Sequence, residues 1–160
     1  MLEGQVVKLD RGYPLVRTEA GDELRCKHAT ALVKGEKVRA VIGDRVLLDI
    51  PEAHDKAIIA EILPRKTEFV RKDPTERALP QVLAANFDTV LIAQPIADVN
   101  LRRLERELVL AHETGADVAV ILTKADLAES DEDIERIARK VGDLVGARDR
   151  VLVVSAEEPE

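Results

Sequence analysis

The chain has 160 residues, of which 46% are hydrophobic, 34% are charged and 2% are aromatic, and its formal net charge is -7. This length accommodates one ordinary domain or two small ones, and the apolar fraction is too high for a disordered chain. No apolar run approaches the roughly 18 residues of a membrane span, and the N-terminus lacks the pattern of a signal peptide. We therefore expect a cytoplasmic protein without membrane contact.

The charge is unevenly distributed along the chain. Residues 1–77 contain 15 Lys and Arg against 14 Asp and Glu, a net of +1, whereas residues 78–160 contain 9 against 17, a net of -8. This asymmetry indicates two regions with different partners.

Residues 1–63 alternate short strand-like segments with turns, without helical periodicity, which predicts a small β-barrel. The predicted strands are 4–9, 13–18, 23–27, 37–42, 45–50 and 57–63. An OB-type barrel is the first interpretation and an SH3-like barrel the second, because spacing alone does not separate them. Residues 64–80 contain three prolines and several basic residues, and we interpret them as a basic linker or an extended segment.

Residues 81–160 form the third predicted part of the chain, after the barrel and the linker. From Phe87 onward the pattern predicts alternating strands and helices. Strands are predicted at 89–93, 118–122 and 151–154, the last two as buried strands, with helices starting after the N-caps Asn100 and Ser130. This order implies a parallel α/β sheet with right-handed crossovers. Two helices leave one sheet face poorly covered, so we expect either a covering chain or a longer protein, and the fragment is expected to self-associate through its incomplete sheet.

Two loops at the carboxyl ends of the strands carry the candidate site, since open parallel sheets bind ligands there. The residues are Thr123, Lys124, Ala125 and Asp126 after one strand, and Ser155 and Ala156 after the next. A carboxylate such as that of Asp126 accepts hydrogen bonds from both the ring N–H and the exocyclic amine of guanine, a fit that adenine does not offer. The aliphatic stem of Lys124 can lie across the base, and the backbone N–H of Ala156 can donate to the guanine carbonyl.

The order of these motifs points to a circular permutation. An ordinary GTPase carries the phosphate loop GxxxxGK[ST] before the base-reading motif, and no such loop precedes Thr123. A base-reading motif behind a small barrel is typical of a circularly permuted G domain.

The run of motifs along the chain resembles the circularly permuted, small-ribosomal-subunit-dependent GTPases called RsgA, YjeQ or EngC. The matching residues are Ile42 to Val46, Ile62 to Arg65, Arg71, Gln81, Ala84 to Asp88, the TKADL run from Thr123, and Val154 to Ala156. The resemblance implies an OB-fold barrel, a permuted GTPase domain binding GTP or GDP, and a role in late maturation of the small subunit. It also implies Mg²⁺ and one structural Zn²⁺, but only in a full-length parent.

The chain departs from the family pattern in two ways. Thr123 stands where the commonest motif has Asn, which reduces the bracing of the nucleotide loops. The phosphate loop, switch segments and zinc ligands that follow in the family are absent from these 160 residues, so we expect this polypeptide to have no catalytic residue and no GTP hydrolysis of its own.

A basic set in the barrel and linker is the candidate RNA-contacting surface: Arg25, Lys27, Lys37, Arg39, Arg45, Arg65 and Lys66. Only Tyr13 offers an aromatic ring in the barrel, so binding is expected to depend on phosphates and on the shape of structured ribosomal RNA rather than on stacking. A mixed-charge surface without RNA contact is the alternative interpretation. Cys26 is expected to be a buried or half-buried strand residue, and the histidines show no metal-ligand spacing.

Two functions are therefore predicted. The first is the N-terminal portion of a GTPase that binds the small ribosomal subunit and its RNA, with guanine recognition by the TKAD and SA motifs. The alternative is a stand-alone, non-catalytic RNA-binding assembly adaptor.

Overall fold

The computed structural model describes residues 1–36, 38–52, 56–71, 80–146 and 150–157. The chain divides into two compact units, Met1–Phe87 and Asp88–Glu160.

Five strands of the first unit close into a barrel. They are β1 (Leu2–Asp10), β2 (Tyr13–Thr18), β3 (Glu23–His28), β4 (Arg45–Asp49) and β5 (Ala57–Ile62). Their order around the barrel is β1-β2-β3-β5-β4, with β4 pairing back onto β1 and with β3 parallel to β5. This is the order of an OB fold, which confirms the first of the two predicted barrel types.

Alternate residues of these strands fill the barrel with aliphatic side chains, as the period of two requires. The innermost residues include Val6, Val16, Cys26, Val46 and Ile59, all essentially inaccessible to solvent. Burial raises the pKa of the Cys26 thiol to about 11. Since the thiolate is the reactive form, this cysteine is a packing residue.

The prediction of a strand at 37–42 is wrong for the described part of that segment; Lys37 itself lies outside the described residues. A π-helical turn, Ala31–Glu36, comes first, and of the following residues only Ile42 makes an isolated bridge. The backbone N–H groups here have other acceptors: Ala40 donates to His28 Nε2 (2.9 Å) and Val41 to Asp44 Oδ2 (2.8 Å). Side chains thus satisfy donors that a strand ladder would otherwise use.

The segment interpreted as a linker contains a strand. β6 (Glu68–Arg71) pairs antiparallel with β7 (Gln81–Ala85), with a bulge between Phe69 and Val70. Residues 72–79 lie outside the described residues. The division of the chain at 63 and 80 stays a prediction.

The turn at Gly43 is joined to the end of β7. Gly43 has a φ of +92°, and a Cβ there would lie 1.8 Å from the carbonyl oxygen of Ala85, so only glycine fits. The N–H of Ala85 donates to the carbonyl of Ile42 (2.9 Å), and Asn86 Nδ2 donates to the carbonyl of Gly43 (3.0 Å). These bonds tie the β6–β7 hairpin to the barrel within the first unit.

A buried ion pair completes this junction. Asp44 is 0% exposed, and its two oxygens accept from Arg65 Nε (2.7 Å) and Nη2 (2.8 Å). Donation of these hydrogen bonds to Asp44 raises the pKa of Arg65, although burial opposes the shift. The bidentate geometry is the one in which a guanidinium best compensates a desolvated carboxylate.

His28 is held in its neutral form by its surroundings. Burial, and secondly the charge of Arg39, lower its pKa from the ordinary value of 6.5, and its Nε2 accepts from Ala40 N–H, which requires an unprotonated nitrogen. In the unfolded chain His28 takes up a proton near pH 6.5, whereas in the folded chain it resists protonation. The contribution of His28 to the free energy of unfolding is therefore fully present above pH 6.5. It is lost as the pH falls through the pKa that His28 has in the folded chain.

We expect His28→Gln to remove this pH dependence, because the Gln side-chain oxygen accepts a hydrogen bond without titrating. Urea unfolding of wild type and variant at several pH values between about 8 and about 5 measures it. The difference in the free energy of unfolding between wild type and His28→Gln should decrease toward acid pH. His112→Gln, on the exposed surface of the second unit, is the matched control; parallel pH profiles for wild type and His28→Gln would contradict the assignment.

The second unit is a three-stranded parallel sheet with two helices. Its strands are β8 (Thr89–Pro95), β9 (Asp117–Thr123) and β10 (Val151–Val153), in the order β10-β9-β8, and its helices are α1 (Leu101–Glu113) and α2 (Asp131–Val145). Both predicted caps are confirmed: Asn100 Oδ1 accepts from Arg103 N–H (3.0 Å) and Ser130 Oγ from Asp133 N–H (3.2 Å). The parallel sheet and its element order confirm the predicted α/β fold.

Both helices pack into one core with one face of this sheet. The strands advance in a single direction, so right-handed crossovers place α1 and α2 on the same side. The core residues are Ile92, Ile96, Leu104, Leu108, Ala111, Val118, Val120, Leu122, Ala138 and Val141. Among the described residues, no helix covers the opposite face.

That opposite face is apolar. Ala93, Ile121 and Leu152 are in register across the three strands, and Leu91 lies next to them along β8. Leu91 is 57% exposed and Leu152 48%. The prediction that β10 is buried is therefore wrong, because β10 is an edge strand covered on one face only.

Candidate functional site

The carboxyl ends of β9 and β10 form one edge of the sheet. After Thr123 the chain turns at Lys124, which adopts a left-handed conformation (φ 56°, ψ 44°), and continues into the 3-10 turn Ala125–Leu127. The loop that follows β10 begins at Val154. Parallel pairing brings these two loops to the same end, as the sequence predicts.

Backbone hydrogen bonds continue between the loops beyond the strands. Val154 N–H donates to the carbonyl of Leu122 (2.9 Å), and Ala125 N–H donates to the carbonyl of Val154 (3.2 Å). These two bonds fix the spacing between the start of the 3-10 turn and Ser155. The two halves of the candidate site are thus held by the backbone.

The side chains of Asp126 and Ser155 meet across this edge. Ser155 Oγ lies 2.6 Å from Asp126 Oδ1 and donates to it, and the same Oγ accepts from Glu157 N–H (3.2 Å). Asp126 is exposed, and among the described residues no donor lies on its Oδ2. The carboxylate is therefore oriented by one hydroxyl and presents its second oxygen to solvent.

The other predicted site residues surround this pair. Lys124 and Ala156 are exposed, whereas Thr123 and Ala125 are partly buried. The structure thus brings all six residues to one edge; their assignment to a nucleotide stays a prediction.

A buried glutamine that the sequence interpretation missed supports the neighbouring loop. Gln94, 5% exposed at the end of β8, accepts from Asn100 N–H (3.1 Å) and donates to Glu107 (3.1 Å). These bonds hold residues 95–100, whose 3-10 turn Ile96–Asp98 contacts the turn Ala125–Leu127. A lone amide within an apolar run was the sequence signal that could have identified Gln94, because a buried amide needs hydrogen-bond partners.

The predicted RNA-contacting residues differ in their surroundings. Arg25 pairs with Asp10, Arg45 with Glu3, and Arg65 with the buried Asp44. The remaining described members, Lys27, Arg39 and Lys66, are exposed. Lys37 lies outside the described residues.

Neither a metal-ligand cluster nor a membrane-spanning helix occurs among the described residues. Among the described residues, no three His, Cys, Asp or Glu side chains group in a way that could hold a metal ion. No helix within the described ranges is long and apolar enough to cross a membrane.

Solved structures share this fold. The crystal structure of YjeQ from Thermotoga maritima matches with a TM-score of 0.69 and 20% identity, covering 96% of this chain and 51% of that one. The crystal structure of YloQ, described as a circularly permuted GTPase, matches with a TM-score of 0.70 and 21% identity, covering 98% and 52%. The barrel and the partial sheet thus define the class of circularly permuted GTPase folds.

Sequence comparisons identify the family within this class. A protein-family model described as RsgA GTPase matches residues 62–160. A relative from Streptomyces avermitilis named small ribosomal subunit biogenesis GTPase RsgA is 35% identical over 156 residues, which are 97% of this chain and 40% of the relative. A relative of the same name from Methanosarcina acetivorans is 40% identical over 108 residues, 66% of this chain and 28% of the relative. The chain belongs to the RsgA GTPase family, and it spans less than half the length of these curated relatives.

Proposed function

We propose that this chain supplies the guanine-reading loops and the RNA-contacting barrel of a cytoplasmic GTPase that binds the small ribosomal subunit and assists its late maturation. Its family membership and the names of its relatives support this role. Hydrolysis, with its phosphate loop and Mg²⁺, is assigned to the whole protein, since the 160 residues contain no GxxxxGK[ST].

The observation that carries the nucleotide part is the exposed, oriented carboxylate of Asp126. Guanine offers two N–H donors on one edge, at N1 and at the exocyclic amine, and a carboxylate accepts both. Adenine instead presents a lone pair and a C–H at these positions, so the carboxylate would face no donor. In the proposed complex the stem of Lys124 lies across the base, Ala156 N–H donates to the base carbonyl, and Thr123 braces the loop.

Calorimetric titration of the 160-residue chain with GDP and ADP tests this proposal. Hydrogen bonds to a charged group contribute about 1.5–3 kcal/mol each, so GDP should bind at least about tenfold more tightly than ADP. Equal affinities, or binding of neither, would overturn the guanine assignment.

The uncovered face of the sheet supports a proposal about association. Leu91, Ile121 and Leu152 form an apolar surface of the kind that proteins cover with a partner. We propose that this polypeptide self-associates through this surface. Light scattering of the samples used for the titrations, over a range of concentrations, measures the molecular mass. A mass that stays monomeric at all concentrations contradicts this assignment.

A further inference from the structure

The outer surface of the barrel carries a cluster of cations around one end of β2. Lys8 lies opposite Leu15, and Leu15 opposite Arg25, so these side chains share the outer face of three strands. Cys26 on β3 pairs with Ala57 on the parallel strand β5, so the preceding residues, Arg25 and Lys56, lie side by side. The basic face, as we define it, comprises Lys8, Tyr13, Leu15, Arg25, Lys27 and Lys56.

The aromatic ring of Tyr13 lies on this face and already contacts two of its cations. Lys56 Nζ lies 4.2 Å from the ring centroid, and Arg25 Cζ lies 5.8 Å from it. Both distances are within the range of cation–π attraction. The ring thus positions two cations and is not free to stack on a base.

The net charge of this face is positive. Asp10, which pairs with Arg25, is the acidic partner there, whereas Lys8, Lys27 and Lys56 form no ion pair among the described residues. The arginines near the other end of β1 and β2 are balanced, because Arg17 pairs with Glu23 and Arg45 with Glu3. A polyanion is therefore attracted to the basic face more than to the end of the barrel where Arg17 and Arg45 lie.

We propose that the basic face binds the phosphate backbone of double-stranded RNA, with Lys56 and Arg25 as phosphate ligands that Tyr13 holds in place. This proposal rests on the proposed RNA contact of the barrel and locates it. Stacking plays no part, so recognition follows backbone shape and charge, as in duplex RNA. The basic face contains Arg25 and Lys27, which the sequence analysis also named as candidate RNA contacts, and Lys8 and Lys56, which it did not.

The test is binding of the 160-residue chain to a fluorescent RNA duplex of about 16 base pairs, measured from about 50 to 200 mM salt. Lys56→Gln and Arg25→Gln should each weaken binding and reduce the slope of log affinity against log salt by about one. Asp10→Asn should strengthen binding, because it releases Arg25 from its carboxylate. Tyr13→Leu should weaken binding and Tyr13→Phe should preserve it, since the cations need the ring and not the hydroxyl.

Arg17→Gln is the matched control, since it removes an exposed, paired arginine of the same barrel and should leave the slope unchanged. If Arg17→Gln weakens binding as much as Lys56→Gln does, the basic face is not the site, although the barrel still binds RNA. If the wild-type chain shows no salt-dependent binding to the duplex, the proposed RNA contact itself is wrong. Circular dichroism of each variant verifies that the fold is retained.

Discussion

Replacing Arg65 with methionine is expected to lower the free energy of unfolding of the barrel unit by about 3–5 kcal/mol, the range found when one partner of a buried ion pair is removed. The Asp44 carboxylate is inaccessible to solvent, and without Arg65 its donor among the described residues is the N–H of Val41. A desolvated charge with one neutral donor is costly. Arg65 is 18% exposed, so water entering at its side places the loss toward the lower end of the range. Urea unfolding measures the change.

Arg45→Met is the matched control for this experiment. Arg45 also pairs with a carboxylate, that of Glu3, but both side chains are substantially exposed, and such pairs contribute up to about 1 kcal/mol. The double variant Asp44→Asn with Arg65→Met should be more stable than Arg65→Met alone, because it removes the uncompensated charge. Equal losses for Arg65→Met and Arg45→Met would show that burial of Asp44 does not determine the effect.

The role of Arg65 in this junction could not be derived from the sequence. Arg65 and its carboxylate partner are separated by 21 positions, and no periodicity relates them. Charge alone placed Arg65 in the candidate RNA surface, whereas in the structure Asp44 and Glu68 occupy its guanidinium. Pairing over such distances depends on the closed barrel, which composition and spacing do not specify.

Elements held by contacts between residues close in sequence were predictable, whereas elements held by distant residues were not. The N-caps Asn100 and Ser130 act on residues three positions away, so a short stretch of sequence contains the whole interaction. The irregular path of residues 38–41 depends instead on His28, twelve residues from Ala40. An alternating pattern of basic and apolar residues resembles a strand, but one of the acceptors that replace the ladder, His28 Nε2, lies on a different strand of the barrel.

The candidate site was predictable to the level of its loops. Strands of a parallel sheet end at one edge, so the meeting of Thr123 to Asp126 with Ser155 and Ala156 follows from topology. The hydrogen bond from Ser155 to Asp126 was not predicted, because it depends on the rotamers of two exposed side chains. Sequence reasoning assigned the SA pair only to the base carbonyl, and the structure adds an orienting role for the serine hydroxyl.

Asp126→Asn is expected to reduce the affinity for GDP by about 100-fold and to improve binding of xanthosine diphosphate. Two charge-assisted hydrogen bonds to guanine are lost or weakened, at about 1.5–3 kcal/mol each, and about 1.4 kcal/mol corresponds to a factor of ten. The asparagine amide donates where the carboxylate accepted. It therefore matches xanthine, which carries a carbonyl in place of the exocyclic amine and retains the ring N–H. Competition titrations with the two nucleotides measure both affinities.

Two controls separate base reading from charge and from loop order. Glu129→Gln removes one negative charge from an exposed residue of the same loop and should leave both affinities unchanged. Ser155→Ala removes the hydroxyl that orients Asp126, so it should weaken GDP binding without favouring xanthine. Because Asp126 and Ser155 are both exposed, neither substitution creates a buried unpaired group, and the fold should tolerate them. An Asp126→Asn chain that binds GDP as tightly as wild type, with no gain for xanthosine diphosphate, would mean that this carboxylate does not read the base.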